Sequence, residues 1–70
     1  MIWQPVTSRM FSEIGHDAAT STLGLRFKKG GEYHYHVFSA AKHQALMASE
    51  SKGKHFRAHI LDQHEFTRIS

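Results

Sequence analysis

Basic side chains recur in two parts of the chain and could contact the phosphates of a nucleic acid, which need cationic and N–H donors along a groove or ridge. The candidate binding residues are Arg26, Lys28, Lys29, His34, His36, Lys52, Lys54 and Arg57. Tyr33 and Tyr35 alternate with the two histidines and could stack on unpaired bases, at ~1 to 3 kcal/mol each. The pattern predicts a surface for RNA or single-stranded nucleic acid. The alternative is that these charges only solvate a small domain.

The net charge also favours an acidic partner. Nine Lys and Arg against six Asp and Glu give +3 with neutral histidines, and the sequence pI is about 9.6. The chain has seven histidines, and an unperturbed imidazole has a pKa of about 6.5. Full protonation would raise the formal charge from +3 to +10. We therefore expect an acidic partner to bind more tightly at lower pH.

Three ionisable residues near the carboxyl end could ligate a metal. His55, His59 and Asp62 follow one another at i, i+4 and i+7 and would share one face of a helix. A zinc site also requires tetrahedral placement and second-shell support. The simpler interpretation is that these residues flank a buried stripe from Phe56 to Ile60, so we predict no metal and no cofactor. No spacing requires a nucleophile and a base to meet, so we predict no catalytic residues and no enzymatic activity.

Length and composition limit what the chain can build. A 70-residue domain buries only about 60% of its unfolded surface, which favours a shallow binding surface over a deep catalytic cleft. The chain has no cysteine, so disulfides and thiol chemistry are excluded. No apolar run approaches the ~20 residues of a membrane span, and the amino terminus lacks the pattern of a signal peptide. We expect a cytoplasmic location.

Two alternating segments predict a β-hairpin that positions the basic residues. Residues 22–28 and 32–37 alternate with period two around Gly30-Gly31. A two-residue loop would set His34 and His36 opposite core residues, so we favour a three-residue loop over residues 29–31. That register gathers on the core face Leu23, Leu25, Phe27, Tyr33, Tyr35 and Val37. It leaves Arg26, Lys28, His34 and His36 together on the other face, and it makes the two tyrosines structural.

Helix signals follow the hairpin. Ser39 is a suitable N-cap for a helix over residues 40–48, with Ala41, Ala45 and Ala48 on one face. Residues 54–61 predict a second short helix with Phe56 and Ile60 inward. The predicted fold is α+β: a three-stranded antiparallel β-sheet (meander) followed by two short C-terminal helices. We expect one domain over residues 1–62 and a C-terminal tail over residues 63–70.

Several short patterns occur in an order that resembles the KTSC domain, a small domain named for the carboxyl end of some lysyl-tRNA synthetases. They are Val6-Thr7-Ser8, Ile14-Gly15-His16-Asp17, Leu23-Gly24-Leu25-Arg26-Phe27 with Gly30-Gly31, Tyr33-His34-Tyr35, and Ser51-Lys52-Gly53-Lys54-His55-Phe56 ahead of Ile60. The resemblance implies a KTSC-like domain and points towards RNA binding. The chain departs from the family pattern at His16, His43 and His55, where relatives often carry an aromatic residue, and at Lys42, where the family residue is more often apolar.

A protein-interaction module is the alternative function. An uncovered sheet edge can add a strand from a partner, including a second copy of the chain. An exposed apolar patch would serve the same purpose. The candidates for such a patch, if the tail is loose, are Trp3, Met10, Phe38, Met47 and Phe66.

Overall fold

The computed structural model describes all 70 residues and contains one antiparallel sheet and two helices. The strands are β1 (Ile2–Pro5), β2 (Phe11–Asp17), β3 (Thr22–Phe27), β4 (Glu32–Tyr35) and β5 (Phe66–Arg68). The helices α1 (Ala40–Ala48) and α2 (Lys52–His59) lie between β4 and β5. Each strand pairs with its neighbour in sequence order, so the sheet order is β1-β2-β3-β4-β5. The α+β class is confirmed.

The prediction of three strands is wrong, because an edge strand is added on each side of the expected meander. β1 pairs with β2, with Gln4 opposite Ile14. β5 pairs with β4, with Thr67 opposite His34, and lies within the segment that the sequence suggested was a tail. Both strands are short and mostly exposed, so neither carries the run of alternating apolar residues by which a strand is recognised.

The β3–β4 hairpin keeps the predicted faces but turns one residue earlier. Leu23 lies opposite Tyr35 and Leu25 opposite Tyr33, so these apolar residues share the core face as expected. The three-residue loop comprises residues 28–30, because the Phe27 N–H donates to the Gly31 carbonyl at 3.0 Å. Gly30 ends the loop with a φ of 104°, a left-handed conformation that favours glycine.

The core contains nine buried residues from the sheet, the helices and their connections. They are Phe11, Ile14, Leu23, Leu25, Tyr35, Phe38, Leu46, Phe56 and Ile60. Val37 was predicted to join them, but β4 ends at Tyr35 and the Val37 side chain is 82% exposed. The Phe38 N–H donates to the Ser21 carbonyl at 2.7 Å, and the Phe38 side chain is buried instead.

The first helix has the predicted bounds but a different inward residue. Ser39 caps α1 by accepting from the Lys42 N–H at 3.2 Å. The predicted alanine face is exposed, and Leu46 is the buried residue of the helix. The hydrophobic effect explains the difference, because a leucine side chain removes more apolar area from water than an alanine side chain does.

The second helix begins two residues earlier than predicted, at Lys52. Phe56 and Ile60 are buried as expected, and the Phe56 ring packs edge-on against Phe11 and Tyr35 at centroid distances of 5.5 and 5.7 Å. No helix has the length and apolar character needed to cross a membrane.

A candidate anion-binding cleft

Six of the nine Lys and Arg side chains line one surface cleft with a volume of about 990 Å³. We call it the cationic cleft. Its basic residues are Arg9, Lys28, Lys29, Lys52, Lys54 and Arg57. They come from three segments far apart in sequence: the β1–β2 loop, the β3–β4 turn and the first two turns of α2. Five of the six are predicted binding residues, and the structure brings them together.

The three segments are tied to one another. The Lys28 N–H donates to the Met10 carbonyl at 2.9 Å, which joins the hairpin turn to the β1–β2 loop. Ser8 shapes that loop, because its Oγ accepts from the Met10 N–H at 3.1 Å. The Met10 side chain faces α2 at Gly53, where an added methyl group would lie 3.5 Å from Met10 Cβ. Hydrogen bonds and packing therefore hold together the three segments that carry the basic side chains.

The amino-terminal end of α2 adds partial positive charge to the cleft. Ser51 caps the helix by accepting from the Lys54 N–H at 3.4 Å. The first turn contains no acidic residue, so no carboxylate within the helix offsets the positive end of its dipole. Lys52 folds back over the cap, and its Nζ donates to the Ser49 carbonyl at 3.4 Å. The helix start and its lysines therefore have the same sign of charge.

Charge is segregated between the cationic cleft and the rest of the molecule. Only one of the six carboxylates, that of Glu50, lines the cleft, while the other five lie elsewhere with the three remaining cations. Outside the cleft acidic groups thus outnumber basic ones, although the whole chain carries +3. A surface that only kept the domain in solution would intersperse both signs. The segregation creates a local positive potential that attracts anions.

Arg26 lies outside the cationic cleft, on the face of the sheet away from the helices. Its guanidinium hydrogen-bonds Glu32 and Glu13, each at 2.9 Å. The hydrogen bond from Arg26 lowers the pKa of Glu32, and the pKa of Arg26 is raised in turn, first by Glu32 and then by Glu13. The guanidinium also stacks on the Trp3 ring, 3.8 Å from its centroid. These partners occupy Arg26, so it is a poor phosphate ligand.

Trp3 covers this open face of the sheet. Its ring lies over Gly15 and Gly24, where an added methyl group would come within 2.9 and 2.6 Å of ring atoms. The two glycines give the flat surface on which the indole and then Arg26 are stacked. Since Trp3 packs in this way and Phe38 is buried, the exposed apolar patch considered from the sequence does not form from those residues.

The predicted histidines also lie away from the cationic cleft. His34 Nε2 hydrogen-bonds the Glu32 carboxylate at 2.9 Å, and His36 Nε2 hydrogen-bonds Thr67 Oγ1 at 2.7 Å. Neither residue lines the cleft. The expected row of Arg26, Lys28, His34 and His36 is therefore divided, because Lys28 lies in the turn and joins the cleft while the others are held on the sheet.

Tyr33 and Tyr35 lie on the helix side of the sheet. Tyr35 is 3% exposed, and burial first, then the negative charges of Tyr33 and Asp62, raise the pKa of its phenol. Tyr33 packs against Phe27 and Phe66 at centroid distances of 5.4 and 5.7 Å. Both rings therefore hold the sheet, the helices and β5 together.

Phe27 is the aromatic residue that lines the cationic cleft, and its ring packs against other aromatic rings of the domain. It packs against Phe11 at 5.0 Å and against Phe56 at 6.0 Å between centroids. Phe27 is part-buried, so the cleft offers mainly cations and N–H groups to a ligand. Such groups can contact phosphates, which carry no base-sequence information.

The histidine pair of α2 does not form a cluster with a third ligand. The His55 and His59 rings lie 4.7 Å apart, and burial and the charge of His59 lower the pKa of His55. No group of three or more His, Asp or Glu residues is arranged to hold a metal ion. The i, i+4 and i+7 spacing therefore does not bring the Asp62 carboxylate to the two imidazoles.

Sequence reasoning missed two charged residues of the cleft. Arg9 lies in a loop before β2 and Glu50 in the connection between the helices, and both line the cleft. No local pattern marks either residue, because each joins the cleft only through the packing of its loop. A search for charged residues next to helix caps would have found Glu50, which precedes the Ser51 cap, but not its place in the cleft.

Comparison with known proteins identifies one family. The KTSC domain model matches residues 7–64. A crystal structure of a KTSC domain protein from Yersinia pestis superposes with a TM-score of 0.95 at 30% sequence identity, covering 99% of this chain and 97% of that one. No curated protein matches the sequence.

Proposed function

This chain belongs to the KTSC domain family, and we propose that it is a non-catalytic module that binds RNA or single-stranded nucleic acid through the cationic cleft. The proposal rests on charge segregation: six of nine cations but one of six carboxylates line a single cleft. Lys28 and Lys29 on the turn line it together with Lys52, Lys54 and Arg57 on α2. A phosphate chain lying in the cleft would be neutralised by side chains from both segments.

The side chains of the cleft favour binding over catalysis. Phosphodiester chemistry by general acid and base requires two groups that exchange protons near neutral pH. The cleft contains no histidine and no aspartate, and Glu50 is its single carboxylate. Lysines and arginines beside it supply charge but no second group of this kind. The cleft therefore suits a phosphate chain that is held and not cleaved.

Recognition in this cleft is expected to be independent of base sequence. The charged groups contact phosphates, which occur in every sequence, and the one aromatic residue of the cleft, Phe27, is packed against Phe11. Arg26, His34 and His36, which the sequence suggested as further ligands, are held by Glu13, Glu32 and Thr67. The proposed nucleic-acid contact therefore involves fewer residues than the sequence pattern indicates.

A salt titration with matched polyanions tests the proposal. Fluorescence anisotropy would measure binding of a labelled single-stranded RNA, a DNA of the same sequence, and polyglutamate of similar charge. We expect similar binding of both nucleic acids, weaker binding of polyglutamate, and a steep loss of affinity with added salt. Absence of nucleic-acid binding at low salt contradicts the proposal. Preference for polyglutamate would instead indicate an acidic protein partner.

A protein partner at the sheet edge is the second candidate, favoured by apolar side chains that the fold leaves exposed. Ile2 on β1 is 78% exposed, Phe66 on β5 is 55% exposed, and Ile69 follows β5. An edge strand can pair with an added strand, which buries such side chains. Binding of this kind would depend little on salt, so the same titration distinguishes it from the phosphate contact.

A further inference from the structure

We propose that the stacked imidazoles of His16 and His43 form a proton-sensitive latch, which holds α1 on the sheet at neutral pH and releases it on acidification. His16 lies on β2 and His43 on α1, and their rings stack with centroids 4.9 Å apart and an interplanar angle of 11°. The latch is independent of what the cationic cleft binds, since neither histidine lines that cleft.

Hydrogen bonding fixes the proton on one ring and leaves the other ring without a partner. His16 Nε2 lies 2.7 Å from the Phe38 carbonyl, which can only accept, so this nitrogen carries a hydrogen. His43 Nε2 is buried and has no hydrogen-bond partner in the chain. Protonated His43 carries a hydrogen on both ring nitrogens, so the buried Nε2 would donate to nothing while the ring is charged.

Like charge resists protonation of both rings. His16 can become charged and still donate to Phe38, but a second imidazolium on His43 would stack on the first. Burial first, and the charge of His16 second, lower the pKa of His43 below its usual 6.5.

The groups around the pair supply no compensating negative charge. His64 packs on the Phe38 ring at 5.1 Å, and the Lys42 ammonium lies 3.2 Å from His64 Nε2. All of these groups are cationic or become so on acidification. The three ion pairs of the molecule involve Glu13 and Glu32, on the opposite face of the sheet. Asp17 follows His16 but its carboxylate accepts from the Ala19 N–H in the next turn.

α1 has few other attachments, so loss of this contact would release it before the sheet unfolds. Leu46 is its one buried residue, and His43 and Met47 are its part-buried residues. The helix has nine residues, and its first turn contains no acidic side chain. A helix of that length is not stable alone and depends on packing. The sheet, in contrast, holds five of the nine core residues.

The direction of the pH effect follows from proton linkage. The folded state has His43 with a lowered pKa, so the released state binds one more proton below pH 6.5. The equilibrium constant for release then rises by up to about tenfold for each pH unit, from pH 6.5 down to the pKa of His43 in the folded state. Above pH 6.5 the latch contributes its full stabilisation.

Residue-resolved hydrogen exchange at several pH values tests the latch. After correction for the pH dependence of intrinsic exchange, we expect the Leu46 amide of α1 to lose up to about tenfold in protection per pH unit, from pH 6.5 down to the pKa of His43 in the folded state. The Leu25 amide of β3, which exchanges only when the sheet unfolds, should stay better protected than the Leu46 amide throughout that range. The measurement must resolve single residues because the pKa of His55 on α2 is also lowered, so protonation of His55 would reduce the stability of the whole domain in acid as well.

Three variants separate the latch from general acid sensitivity. His43→Phe keeps a ring against His16 but cannot take a proton, so α1 protection should no longer depend on pH. His16→Gln keeps a donor for Phe38 and removes the repelling imidazole, and it should lower the pH at which α1 opens. His36→Gln, at a histidine whose ring hydrogen-bonds Thr67 away from α1, should behave as the parent. Unchanged pH dependence in His43→Phe, or equal protection of the α1 and β3 amides at every pH, would overturn the proposal.

Discussion

Removing Lys28 and Lys29 together is the sharpest perturbation of the cationic cleft. The double variant Lys28→Ala/Lys29→Ala takes two charges from one wall of the cleft without altering its backbone, since neither residue has a positive φ. The Lys28 N–H, which donates to Met10, is retained by alanine. The matched control is Lys42→Ala/Arg68→Ala, which removes the same charge from residues that do not line the cleft.

The size of the effect follows from counterion release. Each phosphate contact on a single strand contributes about 0.7 to the slope of log K against log salt concentration. Six cations in the cleft therefore set an upper limit of roughly 4 for the parent slope. Loss of two contacts reduces the slope by about 1.4, which corresponds to an affinity loss of about 25-fold at roughly 0.1 M salt.

The assay is fluorescence anisotropy with a labelled single-stranded RNA of about 16 nucleotides, the upper end of the site size of a single small domain. Salt is varied from about 50 to 200 mM, the range in which such contacts weaken strongly. The control variant carries the same net charge as the cleft variant, so it reports the effect of overall charge. We expect its slope to stay near that of the parent.

Two results would refute this reasoning. If the cleft variant and the control lose affinity equally, the binding depends on net charge and not on the cleft. If the cleft variant binds as the parent does, Lys28 and Lys29 are not phosphate ligands, and the sheet edge becomes the stronger candidate surface. Circular dichroism of each variant must first show an unchanged fold.

Four further variants test the free energy of unfolding. Gly24→Ala places a methyl group 2.6 Å from Trp3, so it should lower this free energy by about 1 to 3 kcal/mol and shift the tryptophan fluorescence. Gly53→Ala has 3.5 Å to its nearest neighbour, so it should be neutral or stabilise α2 by about 0.5 to 1 kcal/mol. Glu32→Gln should lower the free energy of unfolding, measured by urea denaturation near neutral pH, by at most about 1 kcal/mol. The difference from the parent should vanish in acid, below the lowered pKa of Glu32, because the parent carboxylate is then protonated. A difference that persists in acid contradicts the ion pair. Phe56→Ala should cost about 3 to 5 kcal/mol in the same assay, and a cost under about 1 kcal/mol would contradict its central position.

Local patterns predicted the central hairpin and the helices because their causes are local. Period-two alternation over β3 and β4 reflects the geometry of a strand, and it assigned Leu25 and Tyr33 to one face. Ser39 predicted the start of α1 through a hydrogen bond that spans three residues. The edge strands β1 and β5 were missed because their own residues alternate too weakly to indicate a strand, and β5 in addition pairs with a segment about thirty residues away.

The candidate site was predicted in part. Lys52, Lys54 and Arg57 were identified from charge alone, and they meet Lys28 as the pattern suggested. Charge alone also selected Arg26, which the fold places on Trp3 between two carboxylates. A basic residue has the same appearance in sequence whether its partner is a phosphate or a glutamate.

The sequence by itself determined the α+β class, the hairpin, the helix cap at Ser39 and the basic character of the chain, since propensity, periodicity and charge are properties of neighbouring residues. Only the tertiary structure decided which charges meet. The cationic cleft joins three segments separated by about twenty residues each, and the His16–His43 stack joins β2 to α1 across 27 positions. Electrostatic interactions depend on distance through space, and burial of the core sets those distances.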